Sequence, residues 1–259
     1  MADWKLYEEL ISEIPSDLKA EHIVVGNAFA AVQCESGAVG LGSYLWSRYY
    51  TRPFTRPDDL TGKPLRELAE LIKSWNYLEA AIGQAAINAW YNAPEIARKN
   101  GVDMDQNPRE DRMNDPFIMS QREIRGKKVV TIGHFPYLEK LFEPICELAI
   151  IEHEPDMNGD YPFEAADYLL PDCDFAYLNA SGLVDKSLPR MLSLSQNAQK
   201  ITLVGPCAPL WRGFARYGVR DVSGLVVTDP ARALRMASGA EHCKPFAVGR
   251  KVALRWEEK

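Results

Sequence analysis

The chain has 259 residues, of which 46% are hydrophobic and 25% are charged, and its formal net charge is −6. This composition is typical of a globular protein with one large domain or two modest ones, and it excludes a disordered or fibrous chain. The negative charge argues against a nucleic-acid partner, because phosphate binding needs a concentrated lysine and arginine surface.

The first residues predict an amphipathic helix from Trp4 to Ile14 rather than a signal peptide. No apolar run is long enough to span a bilayer, so we expect no membrane partner. The five cysteines form no CxxC pair. An odd number of cysteines without an export signal fits reduced thiols, which favours a cytoplasmic protein.

Three short β-like runs follow, at residues 22–25, 28–33 and 38–41, and turn dipeptides separate them. They predict a small antiparallel meander. Apolar residues at helical spacing from 65 to 75 predict a helix, and Asn76 is placed to cap a second, alanine-rich helix that ends near Tyr91. The polar stretch 100–125 is the expected linker.

Five short apolar runs change the pattern after this linker. They cover residues 128–132, 148–151, 175–178, 201–204 and 225–227, with helical patterns at 137–146, 163–170, 187–199, 210–217 and 231–237. Fully apolar strands that alternate with helices predict a parallel sheet covered on both faces, and right-handed crossovers make it doubly wound. We therefore predict an α/β protein, with a small α+β domain at 1–124 and a Rossmann-like domain at 125–259.

Ligands of such sheets bind outside the carboxyl ends of the strands. The first run ends in Gly133-His134-Phe135-Pro136, where Pro136 is suited to open a helix whose first N–H groups would face an anion or a polar ligand. There is no GxGxxG fingerprint, so ordinary NAD binding is not expected. The alternative is a tight turn between strand and helix.

The next three runs also end in candidate ligand-binding residues. Glu152 follows Gly133 by about 20 residues, the place of the acid that binds a ribose hydroxyl in Rossmann proteins, although it could equally be a solvated turn residue. The third and fourth runs end in Ser181-Gly182 and Gly205-Pro206, small residues that let a ligand approach the backbone. After the fifth, Asp229 is explained by helix capping alone.

Cys207 is the candidate nucleophile or soft-metal ligand. It follows a strand and precedes a predicted helix, a setting that lowers a thiol pKa, but most lone cysteines are small buried apolar residues. No local cluster has metal-ligand spacing, and a site could only assemble in space from His134, Glu152 and Cys207. The sequence contains neither a GxSxG elbow nor a Walker lysine.

Several of these motifs recur in one known family. They are Gly133-His134-Phe135-Pro136, Glu152 with Pro155, Asp172-Cys173-Asp174, Gly205-Pro206, Val25-Gly26-Asn27-Ala28-Phe29 and Ala86-Ile87-Asn88-Ala89. Together they resemble the family of unknown function described as "putative heavy-metal chelation", over nearly the whole chain. The resemblance implies an enolase-N-terminal-like domain before a Rossmann-like domain, a cleft between them, a part in making or handling a small chelating molecule, and a homodimer.

The chain departs from that family pattern at two loops. Asp185 and Ser187 stand where the pattern has asparagine and threonine, and Cys207 and Ala208 stand in a run that resembles Gly-Pro-Ser-Thr-Pro. These changes bear on whether the reaction is shared. Cys207 could alter a metal preference or merely replace a serine.

Three functions remain open at this point. In the first, the protein is an enzyme acting on a polar metabolite or chelator precursor, with His134 or Glu152 in acid–base roles and an unknown cofactor, either a transition metal or a nucleotide-like ligand. Its ligand-binding residues would be Asn27, Phe29, Asn88, Gly133, Phe135, Ser181, Gly182, Gly205, Pro206 and Asp229, with Asn27, Phe29 and Asn88 forming a lid. In the second, the protein is not an enzyme but binds and delivers zinc, nickel or copper through Cys207, His134 and Glu152. In the third, it is a scaffold with an apolar crevice.

Overall fold

The computed structural model describes residues 4–45, 52–54, 59–105, 107–135, 137–155 and 159–256. Pro136, the predicted first residue of a helix, lies outside the described residues. No helix in the described part of the chain is long and apolar enough to cross a membrane.

The amino-terminal half contains an antiparallel sheet and the helices around it. Its elements are α1 (Lys5–Ser12), β1 (Ala20–Val25), β2 (Phe29–Cys34), β3 (Val39–Ser43), α2 (Leu65–Ala69), a 3-10 turn (Glu70–Lys73), α3 (Tyr77–Tyr91) and α4 (Pro94–Lys99). The three strands pair in chain order, as the turn dipeptides predicted. α1 buries Leu6, Leu10 and Ile11 along one stripe, which is the amphipathic pattern of the sequence.

Helix α3 is the central element of this half. The Asn76 side chain accepts hydrogen bonds from the N–H groups of Leu78 and Glu79, so the predicted cap is confirmed. The small residues of α3 let β3 pack directly against the helix backbone: a Cβ added to Gly42 would lie 1.9 Å from the Ala81 carbonyl oxygen. Every residue from Glu79 to Ala89 is buried, because the other side of α3 contacts the carboxyl-terminal half.

The carboxyl-terminal half is built on a sheet of seven strands. Its elements are α5 (Pro116–Met119), β4 (Lys128–Ile132), α6 (Leu138–Phe142), β5 (Glu147–Glu152), β6 (Tyr161–Pro162), α7 (Ala166–Leu169), β7 (Phe175–Asn179), α8 (Leu188–Leu194), β8 (Lys200–Val204), β9 (Val219–Val227), α9 (Pro230–Ser238) and β10 (Gly249–Arg255). Short 3-10 helices cover Pro108–Asn114, Ser120–Arg122, Phe163–Ala165, Leu170–Asp172, Ala180–Leu183, Arg212–Tyr217 and Pro245–Val248.

The strand order is β10-β9-β8-β7-β4-β5-β6, and all neighbours are parallel except β10 and β9. The chain first builds outwards from β4 to β6 and then returns to β7 on the other side of β4. This reversal is the mark of a doubly wound Rossmann-like sheet, and the predicted fold class is confirmed. The topological switch point lies between β4 and β7.

The stretch predicted as a linker is folded against this sheet. Asn114 donates from Nδ2 to the Lys251 carbonyl oxygen at 3.1 Å, and its own carbonyl oxygen accepts from the Ser223 hydroxyl at 3.0 Å. The Tyr177 hydroxyl donates to Ser120 Oγ at 2.5 Å. The sequence does not predict this packing, because short turns that begin with proline have no helical period.

Candidate functional site

Three strand ends meet at the switch point. Gly133 follows β4 and Gly205 follows β8, and both have positive φ angles, +109° and +125°. Between them lies Asn179, the last residue of β7: a Cβ on Gly133 would lie 3.0 Å from its Nδ2, and a Cβ on Gly205 would lie 3.4 Å from its Oδ1. We call the part of the carboxyl edge formed by Gly133, His134, Glu152, Asn179 and Gly205 the switch crevice.

Glu152 holds the turn after β4 in place. Its Oε1 accepts from the His134 backbone N–H at 2.6 Å, and its Oε2 accepts from the His153 N–H at 3.2 Å. The Gly133 N–H donates to the Ile151 carbonyl oxygen at 2.9 Å. The N–H groups of Gly133 and His134 therefore bind the protein's own groups, and α6, the helix predicted to start at Pro136, begins at Leu138 and has five residues. This geometry disfavours a phosphate cradle at Gly133.

The His134 side chain lies between two carboxylates. Its Nδ1 is 3.0 Å from Asp160 Oδ2, and its Nε2 is 3.0 Å from Glu139 Oε1. The imidazole is 23% exposed, whereas the Asp160 side chain is only 5% exposed. Both ring nitrogens can donate to these carboxylates at once only when the imidazole carries its second proton. Both ring nitrogens are occupied, so a ligand can receive the Nε2 proton only by taking the place of Glu139, whose side chain, at 32%, is the more exposed of the two carboxylates.

A second histidine–carboxylate pair lies on the loops after β5 and β7. His153 Nε2 is 3.1 Å from Asp185 Oδ2, and this hydrogen bond raises the pKa of His153. The His153 ring stacks on Phe163 with 3.7 Å between centroids. Asp185 also accepts from the Ser187 N–H at 2.9 Å. Asp185 and Ser187 form one of the two loops at which the chain departs from the family pattern, and this hydrogen bond joins them.

Sequence reasoning missed Lys186, which joins the two halves of the chain. Its ammonium donates to the carbonyl oxygens of Ser74 and Val184, and it lies 5.3 Å and 5.5 Å from the ring centroids of Trp75 and Tyr77. Its backbone is left-handed, with φ +67°, which is uncommon outside glycine. No sequence motif marks it, since only the fold brings residues 74–77 to it.

We expect Lys186 to titrate far below ordinary lysines. Burial lowers the pKa of its amine to about 8, because the uncharged form is favoured away from water. In a 13C-lysine NMR titration, the Lys186 Cε resonance should move with a midpoint near pH 8. Lys128 is the internal control, since its hydrogen bond to Asp172 raises its pKa. A Lys186 midpoint at or above that of Lys128 would contradict the burial argument.

Other predicted residues at the strand ends have structural partners. The Ser181 N–H donates to Asn179 Oδ1 at 3.0 Å. Gly182 is buried against Leu188, Pro206 is half-buried beside Gly205, and the Phe135 ring lies 4.8 Å from that of Phe117. Phe135, Ser181 and Pro206 are the half-buried residues of this group that lie beside the switch crevice.

The predicted lid residues do not act as one unit. Asn88 is fully buried and donates from Nδ2 to the carbonyl oxygens of Leu41, at 2.6 Å, and Cys207, at 2.8 Å. Asn88 is therefore not a lid residue, because its side chain joins the amino-terminal and carboxyl-terminal halves through these hydrogen bonds. Phe29 packs in a cluster of residues from β9 and α9, and Asn27 lies in the exposed β1–β2 turn. Asp229 accepts from the Arg232 N–H at 3.0 Å, as the capping interpretation expects.

Of the two alternatives for Cys207, the structure favours the small buried apolar residue over the reactive thiolate. The residue is 1% exposed, and burial raises the pKa of its thiol to about 12, outweighing a hydrogen bond with Ser43. The two nitrogens of the His134 ring each face a different carboxylate. They therefore do not point, together with Glu152, at a single position where a metal ion would bind. Within the described residues, no group of three or more His, Cys, Asp or Glu side chains could hold a metal ion. The donor set predicted for a metal does not fit one.

Cys207 should consequently resist alkylation in the folded protein. We expect its modification by iodoacetamide at neutral pH to be at least about a hundredfold slower than in the unfolded chain. Burial disfavours the thiolate and also keeps the reagent away from the sulfur. Peptide mass spectrometry over a time course measures this, and the half-buried Cys243 provides an internal comparison. Rapid native labelling of Cys207 would show that this part of the interface opens.

Comparisons with known proteins agree with this architecture. Two family models match the chain, DUF4213 at residues 7–91 and DUF364 at residues 115–255, and both carry the description "Putative heavy-metal chelation". A DUF364 protein of unknown function from Desulfitobacterium hafniense has a crystal structure with a TM-score of 0.89 and 45% identity, covering 98% of each chain.

More distant relatives share the same extent. A DUF364 protein of unknown function from Pyrococcus horikoshii has a TM-score of 0.73 at 21% identity, covering 97% of this chain and 98% of the other, which shows the fold alone. An uncharacterized protein from Methanocaldococcus jannaschii is 26% identical over 233 residues, 87% of this chain and 85% of the relative. The DUF364 match spans more than half of the residues and the 45% identical structure nearly all of them, so the chain belongs to the DUF364 family, described as "Putative heavy-metal chelation".

Proposed function

We propose that the protein is an enzyme that binds a small polar metabolite in the switch crevice and transfers a proton to it from His134. The observation that carries the proposal is the position of His134 in the turn after β4, a strand that borders the switch point, with each of its two ring nitrogens 3.0 Å from a carboxylate. Titratable groups held by carboxylates in the ligand-binding crevice of an α/β sheet are candidates for acid–base catalysis.

Each residue around His134 has a separate role in this proposal. Gly133 and Gly205 let the Asn179 side chain lie close to the backbone of both turns, and the Asn179 amide would offer hydrogen bonds to a polar group of the ligand. Glu152 is a positioning residue in this proposal, because its Oε1 accepts from the backbone N–H of His134 while its Oε2 is held by the N–H of His153. Asp160 and Glu139 orient the imidazole through their contacts with its two ring nitrogens.

The family description supports the metabolite's class. A molecule that chelates a heavy metal carries several carboxylate, amine or imidazole groups, and an enzyme that makes one handles polar precursors of the same kind. We propose such a precursor as the substrate, and we propose a cytoplasmic homodimer as the setting of the reaction. Direct metal delivery is the less favoured function, since the predicted donor set does not converge.

Equilibrium dialysis against a small-molecule extract tests the binding. The protein, purified without a tag or chelator, should enrich one polar metabolite, which mass spectrometry identifies. Elemental analysis of the same sample separates the alternatives: a stoichiometric transition metal would favour delivery, and no enriched metabolite would overturn the proposal.

Turnover of the enriched metabolite tests the chemistry. His134→Asn should lower conversion by about a hundredfold or more while the metabolite remains bound, since removal of a general acid typically costs that much. His22→Asn is the matched control, because His22 is exposed on β1. Equal conversion by wild type and His134→Asn would remove His134 from the mechanism.

A further inference from the structure

A cavity lies on the face of the large sheet, away from the switch crevice. It has a volume of about 190 Å³ and is bounded by a row of side chains from neighbouring strands and by the segment around α5. The cross-strand pairs Tyr177–Thr202, Thr202–Asp221 and Asp221–Arg255 place this row on one face. We call it the amino-edge pocket, because it extends to Lys200, the first residue of β8.

Asp221 is the unusual group in this pocket. The residue is 3% exposed, and only Oδ2 is paired, with Arg255 Nε at 3.2 Å. Its Oδ1 is buried and has no hydrogen-bond partner among the residues that the structure describes. A buried acceptor without a donor costs about 1–3 kcal/mol, and more when it is charged. Burial also raises the pKa of the carboxyl, while Arg255 and Lys200 oppose this shift.

We propose that the amino-edge pocket binds a small ligand through a primary ammonium group that donates to Asp221 Oδ1. An ammonium has three N–H donors and no acceptor, which matches a site whose unmet need is a donor. The hydroxyl oxygens of Ser120 and Thr202 border the same cavity and are further acceptors. A hydrogen bond between an ammonium and a carboxylate is stronger than one between neutral groups.

The charges around the pocket are compatible with a cation. The lining carries two acids, Asp221 and Glu123, and two bases, Arg255 and Lys200. Glu123 and Lys200 pair with each other at 3.3 Å, and Arg255 pairs with Asp221, so neither base is left uncompensated. An incoming ammonium therefore meets no excess positive charge. Lys200, at the end of the pocket, would also bind the carboxylate of an amino acid.

NMR titration of the full chain tests the proposal with three probes: ethylammonium chloride, L-alanine and sodium propionate. Ethylammonium should give saturable shifts of the amides of Ser120, Thr202 and Asp221, and propionate should give none. Tighter binding of alanine than of ethylammonium would identify an amino acid as the ligand. If alanine binds no more tightly than ethylammonium, the ligand is a simple amine. No saturable shift with ethylammonium or alanine, or equal shifts with propionate, would overturn the proposal.

Two variants assign the binding to Asp221. Asp221→Asn should weaken ethylammonium binding about tenfold or more, because it removes a charged acceptor. Asp111→Asn is the matched control, since Asp111 also pairs with an arginine of β10, Arg250, but lies outside the pocket. If Asp221→Asn does not fold, the more exposed Glu123→Gln should weaken binding about twofold to fivefold. Wild-type affinity in the folded variant tested would overturn the proposal.

Discussion

Asn92→Leu should destabilise the protein by about 3–6 kcal/mol, the largest effect on folding that we expect from one substitution. Asn92 is 2% exposed at the end of α3. Its Nδ2 donates to the carbonyl oxygens of Ala208 and Leu225, both at 3.0 Å, and its Oδ1 accepts from the Leu210 N–H at 2.9 Å. Leucine has a similar volume but pairs with none of these groups, and each buried orphan costs about 1–3 kcal/mol.

Urea unfolding at fixed pH and protein concentration measures this effect. Asn197→Leu is the control, because Asn197 is exposed and makes one long hydrogen bond to the Pro171 carbonyl oxygen at 3.3 Å. That variant should remain within about 0.5 kcal/mol of wild type. A loss below about 1 kcal/mol for Asn92→Leu would mean that water reaches the interface and replaces the amide.

Asn92 belongs to a row of amides that the sequence does not identify as structural. Gln84, Asn88 and Asn92 recur every four residues and so lie on one face of α3. All three donate to carbonyl oxygens at the strand ends of the large sheet. From the sequence alone, a polar residue on a buried helix can either bind a ligand or hydrogen-bond another part of the protein. Only the position of its hydrogen-bond partner in the fold distinguishes the two.

The strand pattern predicted most of the fold because it depends on local chemistry. Each parallel strand buried on both faces must be apolar throughout, and such runs predicted β4, β5, β7, β8 and β9. The edge elements were harder to predict. β6 has two residues, and β10 pairs antiparallel beside β9, so neither needs a continuous apolar run.

The candidate site was predictable only in part, because topology fixes edges and not side-chain partners. The rule for strand ends placed Gly133, Glu152 and Gly205 at one edge, where the two glycines flank Asn179 and Glu152 binds the His134 N–H. It could not show that Glu152 would bind the His134 turn, since that depends on a carboxylate reaching two backbone N–H groups. Burial of Cys207 depends on α3, which is more than a hundred residues away in the sequence.

Gly133→Val should abolish retention of the crevice metabolite while leaving the protein folded. With φ at +109°, Gly133 has a backbone conformation in which a β-branched residue is strained by about 1–3 kcal/mol. The new Cβ would lie 3.0 Å from Asn179 Nδ2, so the valine must displace the amide or fill the space beside it. We expect affinity for the metabolite to fall about a hundredfold, which corresponds to about 2.7 kcal/mol.

Gly126→Asn is the matched control for this change. Gly126 also has a positive φ, +71°, and it precedes β4 rather than following it. A Cβ added there would meet no atom of the described residues within 4 Å, apart from its chain neighbours. Asparagine tolerates this conformation, so the control should keep both its fold and the metabolite.

Dialysis with mass spectrometry measures retention of the metabolite by both variants, and circular dichroism with urea unfolding verifies that each is folded. The comparison separates lost space in the crevice from lost structure, because the two glycines share a left-handed backbone but only Gly133 borders Asn179. If a folded Gly133→Val protein retained the metabolite as wild type does, the ligand would have to bind elsewhere than the switch crevice.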